Sequence, residues 1–284
     1  MPCPLLRILI LASLLAGAAA CSSSDPAPGL PATREDNLAL GNPSGAVTDA
    51  AQYNNYLLVK PQYTLSYHRD RGTPNWVSWH LSSAWLGAAA RQDDFRADNT
   101  LPAGWYQVQA NSYSGSGFDR GHNCPSADRT ASVADNSATF LMSNMIPQAP
   151  RHNQQTWASL ENYCRTLVGQ GNELYIIMGQ YGKGGTGSAG YYTTLNNGHV
   201  TVPKRIWKVI VVLPNGPNDV ARVTSSTRII AVDAPNNNSV SPNWSTYRTS
   251  VDAIEQATGY DLLSAVSGPA QSTIEAKVDN GPVQ

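Results

Sequence analysis

A sustained helical period is strongest in one stretch of this chain, and most of its other apolar runs have the length and composition of strands. Within residues 156–168, Trp157, Leu160, Cys164, Leu167 and Val168 recur on one helical face, and Gly169 and Gly171 end the run. Short runs rich in β-branched and aromatic residues occupy 57–59, 63–67, 76–81, 140–146, 174–178, 200–213 and 229–232. Arg71-Gly72-Thr73-Pro74 breaks the second from the third, which predicts a hairpin. Pro147 and Pro150 are expected to stop the 140–146 strand, and Pro203 to kink 200–213. Shorter helices are expected over 133–140, capped by Ser132, and over 251–257, between Ser250 and Gly259. There is no internal repeat. The pattern predicts an α+β fold: a mainly antiparallel sheet flanked by helices. A length of 284 residues is ample for its core.

The N-terminus reads as a targeting segment. Arg7 supplies the positive flank and residues 8–15 an apolar run too short to span a bilayer. Ala18-Ala19-Ala20-Cys21 resembles a bacterial lipoprotein box, with Cys21 as the lipidated first residue; plain secretion is the alternative. Residues 22–47 are rich in Ser, Pro, Ala and Gly without apolar period, the composition of a flexible tether. The expected organisation is a signal peptide over 1–20, a tether over 21–47 and one folded domain over 48–284. The implied location is the periplasmic or outer face of a membrane. Cys124 and Cys164 would then meet an oxidising compartment, either as a disulfide or as two separate buried thiols.

Chemistry concentrates in Phe118-Asp119-Arg120-Gly121-His122. An imidazole can take a proton near neutral pH, and a guanidinium can hold a phosphate by two hydrogen bonds. Asp119 can orient either one, and Gly121 is expected to turn the backbone sharply between them. Further on, Asn153, Trp157, Glu161 and Arg165 stand four apart. If the helix reaches back to Asn153, they form one stripe whose amide, carboxylate and guanidinium suit a hard cation and a phosphate. The bland alternative is a solvated face with an ordinary Glu-to-Arg pair. Gly182-Lys183-Gly184-Gly185-Thr186-Gly187 matches the GxGxxG pattern, but no helix opens after it, so it reads as a hairpin loop. Charged residues are only 14% and the net charge is −1. A protein that merely coats nucleic acid would usually be basic, so a polyanion must be met here by local arginines and a metal.

Taken in order, Asp119-Arg120-Gly121-His122, Ser143-Asn144-Met145-Ile146-Pro147-Gln148, Asn153-Gln154-Gln155-Thr156-Trp157 and Leu160-Glu161 resemble the DNA/RNA non-specific endonuclease family, the ββα-metal nucleases. The run through Pro125-Ser126-Ala127-Asp128-Arg129-Thr130 to Tyr163-Cys164-Arg165 is most similar to its cyanobacterial sugar-non-specific branch, and the likeness extends to Thr258-Gly259-Tyr260-Asp261. The resemblance implies a ββα-metal motif and metal-dependent endonucleolytic cleavage of DNA and RNA. It implies His122 as general base, Asn153 as the direct protein ligand of Mg²⁺ or Mn²⁺, and Glu161 as holder of the metal's waters. Arg91, which precedes Phe95 and Asp98, would stabilise charge on the phosphate. Arg120 and Arg165 would contact phosphate, and Asp119 and Asn144 would position the others. Monomers and dimers both occur in the family, and some exported members meet an inhibitor protein. Two rivals follow from the residues themselves. One is a polyanion-binding surface lipoprotein without turnover. The other is a Cys124–His122 nucleophile, which would leave the helix stripe without a role.

Overall fold

A computed structural model describes Met1 and residues 33–283; the signal segment and Cys21 lie outside the described residues. In chain order the strands are β1 (Tyr56–Val59), β2 (Thr64–His68), β3 (Thr73–Leu81), β4 (Asp119–His122), β5 (Met145–Gln148), β6 (Asn172–Tyr181), β7 (Gly185–Gly187), β8 (Gly190–Tyr192), β9 (Thr194–Leu195), β10 (Val200–Thr201), β11 (Arg205–Pro214), β12 (Arg228–Pro235) and β13 (Arg248–Thr249). The helices are α1 (Val133–Ala138), α2 (Ala158–Gly169), α3 (Asp219–Arg222), α4 (Val251–Thr258) and α5 (Gly268–Glu275).

Seven strands form one antiparallel sheet in the order β1-β2-β3-β6-β11-β12-β13. β3 is buried along its whole length, as expected for a central strand covered on both faces. Successive side chains alternate between the two faces. Val77, Trp79, Ile176, Ile206 and Ile210 meet Trp157, Leu160, Cys164 and Leu167 of the long helical segment. Trp76, Ile177, Trp207 and Val209 meet Val251, Ile254 and Ile274 from α4 and α5. Each fully buried aromatic or aliphatic side chain contributes about 1.5–3 kcal/mol, so both faces are committed. The α+β expectation holds, and the site is carried entirely on the first face.

Several local expectations are refined. The β2–β3 hairpin, α1 behind its Ser132 cap, and α4 between Ser250 and Gly259 are present. No helix follows the glycine run, but the hairpin loop is displaced from it: Gly185–Gly187 is strand β7, pairing with β8, and the turn falls at Ser188-Ala189. Pro147 does not stop a strand: it sits inside β5, opposite Arg120. β4 and β5 make an isolated two-stranded ribbon, where a missing N–H can face away from the partner. Residues 142–144 are instead a 3₁₀ turn.

The packed chain also begins earlier than a boundary at residue 48. Ser82 Oγ donates to Thr33 O (2.6 Å), and Ser78 Oγ to Asn37 O (2.6 Å). The Glu35 and His80 amides donate to His80 Nδ1 and Asn37 Oδ1, respectively. Leu40 and Ala46 are in the core. Low apolar content hid this strap, because backbone and Asn37 amide groups hold it.

Cys124 and Cys164 are both free and buried, so the disulfide alternative is not realised. Burial pushes each thiol up to about 12, which removes Cys124 as a thiolate nucleophile at neutral pH. Neither cysteine should react with iodoacetamide in the native protein, both should react in denaturant, and the melting temperature should be the same with and without reductant. Mass spectrometry of the alkylated protein checks this; a native 2-Da mass deficit that reductant abolishes would contradict it.

Candidate active site

The β4–β5 ribbon pairs Asp119 with Gln148, Arg120 with Pro147, Gly121 with Ile146 and His122 with Met145. Strand alternation therefore sends Arg120 and His122 to one side of the ribbon and Asp119 to the other. On the first side stand two phenyl rings, Phe95 and Phe140, edge to face at 4.9 Å. His122 packs edge-on against both, at 5.5 and 4.9 Å. The Arg120 guanidinium lies 3.7 Å over Phe95 and that of Arg91 lies 4.9 Å over Phe140. Arg91 is steadied by Asp93 (2.7 Å) and Ser126 Oγ (2.8 Å), and Arg120 by the Ala110 carbonyl (3.0 Å). Two guanidiniums and an imidazole are thus staged around an aromatic pair. Arg91 and Arg120 line an open cleft of about 490 Å³.

Gly121 serves close approach, not a sharp turn. It is an ordinary strand residue, and a Cβ there would lie 2.2 Å from Gln148 Oε1 and 2.6 Å from its Cβ. Gln148 in turn bonds His152 Nδ1 at the start of the helical segment, tying ribbon to helix. Asn144 is held within the backbone that follows the ribbon. Fully buried, it accepts from the Cys124 amide (3.0 Å) and donates to the Cys124 and Thr139 carbonyls (both 2.9 Å). It clamps the chain just after His122.

On the other side of the ribbon, Asp119 Oδ2 accepts from Asn153 Nδ2 (2.8 Å) and from Gln154 Nε2 (2.9 Å). An ionised carboxylate can only accept, so it fixes which end of each amide faces it. The side-chain oxygen of Asn153, Oδ1, is left facing away from Asp119, with no protein donor upon it among the described residues. Asn153 lies in a π-helical turn, His152–Trp157, that runs directly into α2. The Ala158 amide reaches back five residues to the Asn153 carbonyl. Such a turn admits one extra residue without adding rotation. Asn153 and Glu161, eight apart, are thereby aligned roughly as residues seven apart are in a regular helix at about 100° per residue. The four-residue stripe expected from the sequence is replaced by this alignment, and Trp157 is fully buried beneath it.

Glu161, in the first turn of α2, is not among the residues that line the cleft. Its Oε1 is 3.4 Å from Nζ of Lys208, a side chain only 1% exposed in the middle of β11. The ammonium lies 5.0 Å from the Trp157 ring and 5.5 Å from that of Trp79. Burial raises the Glu161 carboxyl above its usual range, and Lys208 opposes that shift. Arg165 is held by Asp128 (2.7 Å) and Asn162 (2.7 Å) and, like His122 and Glu161, is not among the residues that line the cleft. Asp128 also accepts from Trp79 Nε1 (3.0 Å), which makes Arg165 part of the scaffold under α2. Lys208 and Phe140 carried no assigned role in the sequence, and Gln148 stood there only as the end of a motif. A lysine inside the apolar run Ile206-Trp207-Lys208-Val209-Ile210 was the one available signal.

His122 is driven down to about 3, first by burial and then by the charges of Arg91 and Arg120. Its Nε2 is buried without a hydrogen-bond partner among the described residues. The imidazole is therefore neutral, as a proton acceptor must be. The donor set also fits one hard divalent cation: a neutral amide oxygen held from behind, with a carboxylate farther along the helix. Among the described residues, the clusters of His, Cys, Asp or Glu close enough to share an ion are His80–Glu173–Asp219 and Asp252–Glu255–Glu275, neither of which lines this cleft. In the first, Arg222 pairs with both Glu173 and Asp219, so those groups form an ion-pair network.

Comparison with known proteins bears on this arrangement. The family model for DNA/RNA non-specific endonucleases matches residues 40–268. A nuclease of Nostoc sp. is 49% identical over 279 residues, spanning 98% of this chain and 99% of its own. Mitochondrial endonuclease G of Homo sapiens is 32% identical over 185 residues, 58% of this chain and 62% of its own. In a crystal structure of the EndoG/EndoGI complex, a chain 23% identical to this one superposes with a TM-score of 0.65, covering 81% of this chain and 91% of that one; the likeness is one of fold.

Three histidines are held neutral by burial: His122 and His152 at about 3 and His68 at about 4. In the unfolded chain they protonate near 6.5. Their stabilisation is complete above that pH, erodes as pH falls below it, and is gone once pH passes the folded values. Glu275, pushed up to about 7 by burial and Glu255, acts in the opposite sense. Glu161 and Glu255, also raised by burial, share that sense; urea midpoints should fall between pH 6.5 and pH 4 as the histidine contribution is lost, and midpoints that rise throughout as pH falls would refute the neutral-histidine assignment.

Proposed function

The chain belongs to the DNA/RNA non-specific endonuclease family and is a nuclease of the hydrolase class, and from that premise we propose that it hydrolyses phosphodiester bonds of both DNA and RNA with a single Mg²⁺ or Mn²⁺ ion. The observation that carries this reading is the neutral His122 beside Arg91 and Arg120, with Asn153 presented across the ribbon by Asp119. No group around the cleft makes a fixed demand on a base edge or a 2′-hydroxyl, which fits indifference to sugar and sequence.

Arg91 and Arg120 receive the scissile phosphate by charge and by planar N–H donors. Their positive charge helps to depress His122 in the free protein. A bound phosphate offsets that charge, so the imidazole becomes a stronger base when substrate arrives. His122 then takes a proton from the attacking water as its oxygen bonds to phosphorus. The P–O3′ bond breaks, and the departing O3′ is protonated from solvent, leaving a 5′-phosphate and a 3′-hydroxyl. Asn153 would hold the ion through its amide oxygen, and Glu161 would hold the ion's waters. When bound, a cation ligated by a neutral amide keeps most of its charge for stabilising the phosphate and the leaving oxygen. Lys208 keeps Glu161 from being a lone charge beneath the sheet.

We infer export and lipid attachment through Cys21 from the sequence alone, which would confine the activity to nucleic acid outside the cytoplasm. The fold shared with an EndoG chain captured with EndoGI supports an inhibitor protein as a partner.

Plasmid DNA and RNA should both be degraded with Mg²⁺ and remain intact in EDTA, and His122→Ala should be at least about a hundredfold slower. Activity should fall steeply as salt rises. A protein that retards DNA on a gel under every metal yet never cuts it would instead be a polyanion binder. Asp119→Asn frees the Asn153 amide to rotate. It should weaken Mn²⁺ binding by about 10–100-fold, measured by paramagnetic resonance titration; unaltered binding would remove Asp119 from its positioning role.

A further inference from the structure

The catalytic cleft does not end at the ribbon. Ser114 and Gly115 line both the cleft and a second open depression bounded by Tyr192, Asn196 and Asn197. Gly198 belongs to that second depression and to a third, bounded by Arg69, Tyr106 and His199. The three form one surface path. No acidic side chain lines its middle section. At its far end Asp70 is paired with Arg69 (2.7 Å).

Two aromatic stations stand on this path. Tyr192, 38% exposed, packs edge-on to Phe118 at 6.4 Å, and Phe118 lines the cleft. Farther out, Tyr106 and His199 stack face to face, 3.9 Å apart and within 7° of parallel, although both are exposed. Asn196 Nδ2 anchors this pair by donating to the Tyr106 hydroxyl (2.5 Å) and to Ser112 Oγ (3.1 Å). The core does not require two flat rings held parallel at the surface. They are what a base would stack upon, and stacking is tolerant of sequence because every base has a π-face.

We propose that this path is a binding track for one strand of the polynucleotide beyond the scissile phosphate, with Tyr192 and the Tyr106–His199 pair as base-stacking platforms and Asn197 and Arg69 alongside its backbone. The proposal rests on the nuclease reading of the cleft, since continuity with that cleft names the occupant. The track makes the protein favour single-stranded or locally opened substrate, and it gives long strands an advantage that very short ones lack.

The full chain is compared with Tyr106→Ala/His199→Ala and with Tyr192→Ala, each in the His122→Ala background and in EDTA. The probe is a fluorescent single-stranded deoxyoligonucleotide of about twelve nucleotides, long enough to pass the cleft. Anisotropy should show about tenfold weaker binding for the double variant, the loss expected for one stacked base. Tyr191→Ala is the control: its hydroxyl lies where a Gly184 side chain would be, on the opposite side of β8 from Tyr192, and its removal should leave affinity unchanged. In the catalytically competent protein, kcat/KM on the oligonucleotide should fall about tenfold relative to kcat/KM on bis(p-nitrophenyl) phosphate, which is too small to reach the platforms. If the double variant does not fold, Tyr192→Ala carries the test. Equal affinities for the platform variants and the parent overturn the track, and cleavage by the parent then leaves the nuclease reading standing. Platform-dependent binding by a parent that cuts neither substrate defeats the nuclease reading and leaves the track.

Discussion

A single carboxylate joins the two halves of the candidate active site. Asp119 begins β4 of the ribbon, and Asn153 stands in the first turns of the helical segment more than thirty residues later. A carboxylate accepts and never donates, so its contact with the Asn153 amide has only one orientation. Everything the helix offers to the cleft follows from that orientation. The neighbouring links have the same logic. Gln148 reaches His152 past a glycine that leaves it room, and Asn144 grips the chain beyond His122 with three hydrogen bonds to backbone. The reactive groups are held by buried amides and one acid, with little recourse to exposed ion pairs, which are worth about 0–1 kcal/mol each.

Beneath this site runs a line of buried charge. Lys208 faces Glu161, Arg165 faces Asp128, and Asp128 takes the indole N–H of Trp79. Opposite charges buried together are weak contributors to net stability, yet removing one member is expensive because its partner is left uncompensated. The pairs therefore fix the seat of α2 upon the sheet more than they strengthen the fold. Trp79 and Trp157 flank the ammonium of Lys208 and exclude water from it.

Much of this was legible in the chain. The tetrad from Asp119 to His122 and the amide at Asn153 were picked out by type and order, and the structure brings Asp119 and Asn153 into direct contact. The helix face of Leu160, Cys164 and Leu167 obeyed a simple period. What could not be read depended on departures from that period or on contacts distant in sequence. The π-turn at Asn153 breaks the 3.6-residue rule, so a stripe drawn at steps of four included Trp157, which lies in the core. Pro147 looked like a strand stop because a sequence does not disclose whether a strand has one neighbour or two. That Arg165 is paired with Asp128, far from it in sequence, could not be read from the chain. The segment at 33–47 looked loose because hydrogen bonds to Ser78, His80 and Ser82 leave no hydropathy trace.

That segment also sets a distance. Thr33 is pinned to Ser82, which leaves twelve residue steps back to Cys21, the proposed lipid-bearing residue. A fully extended chain spans at most about 3.3–3.6 Å per residue, so such a leash could reach no more than roughly 40 Å. A protein moored on so short a line would work as a sentry at the membrane surface, meeting polymers that drift against the envelope and leaving those in open solution untouched.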